Sequence, residues 1–122
     1  MVISTTDEKE YVRKYLTALQ GLMGFSPREL EIATQMVYRY RILLRAKDKL
    51  KGKKAKEDFN PMAMLKSKEV LGEITKELNM SFPVFRNYVS GLKHKGFFDG
   101  SEINSICVPL GNKTVIEFIH EN

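Results

Sequence analysis

Apolar side chains return at helical spacing in four stretches of this chain, and the intervals between them carry residues that start and stop helices. In the first stretch Tyr11, Tyr15, Leu19 and Leu22 follow one another at steps of four and three, which defines one apolar face. This helix is predicted to begin near Asp7, with Thr5 or Thr6 as its cap. Glu8 and Glu10 then sit at the positive end of the helix dipole. The pattern stops between Gly21 and Gly24. The next boundary is the clearest in the chain: Ser26 as cap, Pro27 at the first helical position, and Glu29 able to close a capping box. The second helix runs from Pro27 to between Arg45 and Lys51, with Leu30, Ala33, Met36, Val37, Tyr40 and Leu44 as its buried stripe.

After Leu50 the apolar period is lost in KGKKAKED, where lysine repulsion and Gly52 argue for a mobile loop in which some helix can persist. Phe59, Asn60 and Pro61 restart order, and Met62, Met64 and Leu65 form a short apolar segment; Met36, Met62, Met64 and Met80 read as core filler. Ser67 caps a third long helix with Val70, Leu71, Ile74 and Leu78 inward. The chain turns sharply at Asn79-Met80-Ser81, where asparagine tolerates a left-handed conformation. Ser81 caps a fourth long helix, with Phe85, Val89 and Leu92 inward, Tyr88 beside them and Gly96 at its end. The remainder reads as β: residues 97–98, 103–108 and 114–119, with a turn at 110–113 joining the last two into a hairpin. The expected fold is therefore mostly α with a C-terminal β-hairpin. It forms a single domain divided into N-terminal helices (1–50), a basic loop (51–60) and a third unit (61–119).

Charge sharpens the picture more than composition does. The net charge of +5 is modest, but residues 39–56 carry a local +8 and residues 82–96 add +3 without an acid. So polarised a distribution suits a polyanionic partner. Arg41 and Arg45, four apart beside the second helix's stripe, can grip a phosphate or an acidic neighbour. Lys51, Lys53 and Lys54 in the loop add phosphate contacts. No aromatic is interleaved among the loop lysines, so base stacking on single strands is a poor fit.

The fourth helix carries the chemistry. Opposite its Phe85-Val89-Leu92 stripe lie Pro83, Asn87, Ser90 and His94, flanked by Arg86 and Lys93. Asn87 can pair with adenine through two hydrogen bonds, and Arg86 can reach guanine or phosphate. Ser90 and Gly91 are small enough for close backbone approach to a ligand.

The bracing residues Leu71, Ile74 and Leu78, the turn Asn79-Met80-Ser81, then Phe85, Val89 and Leu92 and the closing LKHKGFF resemble the winged helix-turn-helix family over about residues 61–119. With two additional N-terminal helices and the Ser-Pro-Arg-Glu-Leu start at 26–30, the chain looks like the small phage-encoded or bacterial proteins of that class. The resemblance implies that helix 82–95 enters the major groove of double-stranded DNA, plausibly in a transcription regulator, with the hairpin as wing. Arg86, Asn87 and Ser90 would then face bases. Lys93, Lys95, Arg41, Arg45 and the loop lysines would hold phosphates, with Lys113 touching the backbone from the wing. A homodimer through the first two helices would serve long sites.

An alternative belongs to a different class: a structural or protein-interaction module on the same scaffold, such as a phage virion or connector component. Phe82 at the head of the fourth helix suits a protein partner, and the wing turn offers only Asn112 and Lys113. No enzyme is expected, since His94 and His120 have no nucleophile at a suggestive spacing and no Gly-rich phosphate loop occurs. Cys107 as the single cysteine rules out an internal disulfide, and neither a metal nor a cofactor is expected. No run is apolar enough for a membrane span, and no basic-then-apolar leader opens the chain; the expected setting is the cytoplasm.

Overall fold

A computed structural model of the chain describes residues 7–109; within them it contains six α-helices and a two-stranded antiparallel sheet. The helices are α1 (Glu8–Met23), α2 (Pro27–Asp48), α3 (Lys53–Asp58), α4 (Pro61–Leu65), α5 (Lys68–Glu77) and α6 (Phe82–His94). The strands are β1 (Phe98–Asp99) and β2 (Glu102–Ile103), followed by a 3₁₀ turn at Ser105–Cys107.

The starts of these helices follow from side chains that accept the unpaired N–H groups of the first turn. Ser26 accepts from Glu29 N–H and Glu29 reaches back to Ser26 N–H, so the predicted capping box forms. Asn60, Ser67 and Ser81 cap α4, α5 and α6 by the side-chain acceptor alone, without the return bond. At α1 the cap is Asp7 itself, which accepts from Glu10 N–H, and not Thr5 or Thr6. A carboxylate one residue nearer the helix satisfies the same donor and adds charge at the positive helix end.

The ends are as informative. After α5, Asn79 takes φ 52°. Met80 N–H bonds to Thr75 carbonyl and Asn79 N–H to Lys76 carbonyl, which is the paired closure of a Schellman motif. After α6, Gly96 takes φ 85° and the same pairing recurs from Phe97 to Leu92 and from Gly96 to Lys93. Arg28, in the first turn of α2, donates to the free carbonyl of Leu78 at 3.0 Å and so fixes where α5 stops.

Helix α2 is the centre of the molecule, packing against α1, α4, α5 and α6. Residues 29–37 illustrate this: all but Glu31 are buried, well beyond one stripe. One apolar core runs through Val12, Leu16, Ile32, Val37, Leu65, Ile74, Leu92 and Phe97. On α1 the buried set is Tyr11, Val12 and Leu16, with Leu22 left 71% exposed. The face is thus rotated from the expected Tyr11-Tyr15-Leu19-Leu22 line, because Val12 and Leu16 can meet α2 and Leu22 lies beyond the contact. Met64, expected in the core, is also exposed.

One local expectation is narrowed and another overturned. Within the basic loop, where some helix was allowed, residues 53–58 form a short helix whose side chains are all exposed. The stretch 103–108 is not one strand. Phe98 pairs with Ile103 and Asp99 with Glu102 around Gly100 at φ 64°, and the chain then turns through the 3₁₀ segment. Asn104 causes the turn: its side-chain oxygen accepts from Ile106 N–H while its amide donates to Gly96 carbonyl, tying the sheet to the end of α6. Tyr15 on α1 anchors the same turn by donating to Ile106 carbonyl at 2.7 Å. The expected turn at 110–113 and strand at 114–119 lie outside the described residues. Among the described residues no helix is long and apolar enough to cross a membrane.

Candidate nucleic-acid interface

Helix α6 meets the core through Phe85 and Leu92 and half-buries Tyr88 and Val89, which leaves the opposite face in solvent. On that face Arg86, Asn87, Ser90 and Lys93 are all exposed. No acidic residue occurs on the helix, so nothing on it opposes an approaching polyanion. Arg86 lies over the ring of Phe82 at 5.2 Å, a cation–π contact that holds the guanidinium at the helix's N-terminal half. Phe82 and Val84 remain 42% and 43% exposed, so the head of α6 is apolar and its middle is basic.

Arg86, Ser90 and Lys93 share one edge of α6, and the fold sets that edge above a groove of about 480 Å³. Met36, Leu71, Phe85, Val89 and Phe98 line it, with Lys66 across from the α6 edge. Lys66 was not singled out in the sequence. It lies between Leu65 and Ser67 just after α4, and only packing brings it to Arg86 and Lys93.

The other basic residues named from the sequence divide into two groups. Arg41, Arg45 and Lys95 have acidic partners within the fold. Arg45 donates through both terminal nitrogens to Glu8, and Arg41 lies 3.5 Å from the same carboxylate and 5.0 Å from the centre of the Tyr11 ring. The hydrogen bond from Arg45, against opposing burial and with help from Arg41, holds Glu8 below the usual carboxylate range. Of the two uses open to this arginine pair, the structure fills the acidic-neighbour one, and it ties α1 to α2. Lys95 reaches 2.5 Å to Glu29, the capping-box carboxylate, whose side chain is only 6% exposed. Burial pushes the Glu29 carboxyl up, but Lys95 and the Ser26 N–H and hydroxyl outweigh it, leaving it below its ordinary value. These three cations therefore hold helices together, a role the sequence cannot show because Glu8 and Glu29 are remote in the chain.

Gly91 is corrected in the same way. It was assigned to close approach by a ligand, but a Cβ at this position would collide with Glu29 Oε2. Its smallness serves the crossing of α6 over the start of α2. Lys51, Lys53 and Lys54 are exposed beside and on α3, with Lys53 only 4.0 Å from Glu57 one turn on. Lys113 lies outside the described residues.

Two acids of α5, the helix that precedes α6, are also paired. Arg39 on α2 pairs with Glu73 at 2.7 Å and Glu77 at 3.3 Å, and Lys9 on α1 pairs with Glu77 at 2.5 Å. Hydrogen bonding from Lys9, with Arg39 adding charge, holds Glu77 below its ordinary value. Comparison of the chain with protein-family models, curated proteins and solved structures finds no match.

Proposed function

We propose that this protein is a helix-turn-helix DNA-binding protein of the winged class, a transcription regulator in which α6 enters the major groove. The observation that carries this reading is the acid-free exposed face of α6, with Arg86, Asn87, Ser90 and Lys93 together in solvent. The tight α5–α6 turn at Asn79 supports it, since a bracing helix and a recognition helix need such a closure. So does the pairing of Glu73 and Glu77 by Arg39 and Lys9, which reduces the bare negative charge of the bracing helix. In this reading Arg86 and Asn87 meet base edges and Lys93 a phosphate, while Lys51, Lys53 and Lys54 extend the phosphate contact.

The test is binding to random duplex DNA across a salt series, for the wild type and for Arg86→Ala/Lys93→Ala. The wild type should bind with a steep salt slope; losing Arg86 should weaken binding, and losing the phosphate-reaching Lys93 should flatten log K against log salt by about 0.9. An unchanged slope and affinity in the double variant would remove α6 from the interface. A second reading is favoured by the exposed Phe82 and Val84 at the head of α6: a protein-interaction or structural module. Flow-through from a heparin column at low salt, with self-assembly on a sizing column, would select it.

A further inference from the structure

The groove beside α6 has an apolar floor that the DNA reading leaves unused. Its floor is apolar, built from Met36, Leu71, Phe85, Val89 and Phe98, and its rim carries Lys66, Arg86 and Lys93. No acid is among the described residues that line it. Lys93 forms no ion pair with a described residue, Lys66 makes only a long 3.4 Å bond to Ser101 carbonyl, and Arg86 rests on the Phe82 ring. Three cations around an apolar trough attract an anion, but a hydrated inorganic anion gains nothing from the floor. The matching occupant has both parts: an apolar body and one acidic end.

We propose that this groove binds a small amphiphilic acid, a free single-chain carboxylate whose hydrocarbon lies on Leu71, Val89 and Phe98 and whose carboxylate meets Arg86 and Lys93. At about 480 Å³ the groove falls within the ordinary range of ligand sites. A medium acyl chain fits. Arg86 is the better carboxylate partner because its planar fork can donate two parallel hydrogen bonds, while Lys93 and Lys66 add point charges. Ser90, small and on the same edge, leaves the entrance open. The proposal shares Arg86, Ser90 and Lys93 with the DNA reading but does not rest on it, and its test contains no nucleic acid, so either can fail alone.

The experiment is isothermal titration of the full chain with dodecanoate, dodecyltrimethylammonium and dodecanol, each below its micelle concentration. Dodecanoate should bind at one site, at least tenfold more tightly than either chain-matched control. Arg86→Met/Lys93→Met should weaken dodecanoate tenfold or more and abolish the preference for the anion. Ser90→Trp, which keeps every charge and lies on the exposed face, should block all three ligands; circular dichroism establishes that both variants are folded. Equal binding of the cationic amphiphile, or undiminished dodecanoate binding in either folded variant, overturns the proposal. Binding to anionic lipid vesicles without binding of the free acid also overturns it.

Discussion

Replacing Lys95 by Met removes the ammonium that faces Glu29 and keeps most of the aliphatic stem that covers it. The Glu29 side chain is 6% exposed and has two named donors, Lys95 at 2.5 Å and Ser26 N–H at 2.8 Å. Stripping one partner from a fully buried pair costs about 3–5 kcal/mol. Lys95 is itself 37% exposed, so water screens the pair, and Ser26 and the start of α2 continue to stabilise the carboxylate. The expected loss is therefore about 2 kcal/mol at neutral pH, read as a fall in Tm of roughly 5–10 °C.

The pH dependence follows from the direction of the Glu29 shift. Its folded-state pKa is depressed below the ordinary 4.5, so its contribution to stability is complete above that value and is lost as pH falls through the folded value. Without Lys95 the depression shrinks, and the gap between variant and wild type should close on acidification. Urea denaturation at pH 7 and near pH 3, with a double-mutant cycle to Glu29→Gln, measures both the size and the coupling. Equal destabilisation at the two pH values would mean lost packing and not a lost ion pair. An unchanged stability, with a duplex-binding salt slope reduced by about 0.9, would return Lys95 to the phosphate-binding set.

Three other outcomes test the same reasoning. Asn79→Val should lower stability by about 1–2 kcal/mol because a β-branched residue is strained at φ 52°, whereas Asn79→Gly should be neutral or slightly stabilising; thermal unfolding of both decides it. Gly72→Ala, on an open helix surface, should gain about 0.5–1 kcal/mol from helix propensity, while Gly91→Ala should lose about 1 kcal/mol by displacing Glu29; a gain at both would refute the close crossing of α2 and α6. Burial pushes the Cys107 thiol from 9.0 up to about 11, so it should resist a thiol reagent at pH 8 until the chain is unfolded. Folding stability should also fall as pH rises from 9 towards 11, because only the unfolded thiol ionises in that window; rapid native-state labelling would refute the buried placement.

Much of the architecture was legible because its determinants are local. Ser26, Ser67 and Ser81 announce helix starts through bonds that span only three residues, and Asn79 and Gly96 announce ends through backbone conformations that few residues tolerate. The inward line of α6 could be read from its spacing, and so could the exposed Arg86-Asn87-Ser90-Lys93 set. The small sheet was misread although Asp99-Gly100 is a strong hairpin signal, since the apolar run 103–108 drew attention away from it. There Asn104 bends the chain after two paired residues, and its decisive bond is to Gly96 on another element.

The chain by itself determined where helices begin and end and which face of α6 meets water, because hydrogen bonds across three to five residues and a 3.6-residue period are written in consecutive positions. Only the tertiary structure decided which charges are spent inside the fold. Glu8 meets Arg41 and Arg45, Glu29 meets Lys95 and excludes a side chain at Gly91, and Lys66 comes to rest by Arg86 and Lys93 over an apolar floor. A charge carries no sequence mark of its partner, since Coulomb attraction depends on distance in space, and that distance exists only once α2 has gathered the other helices around it.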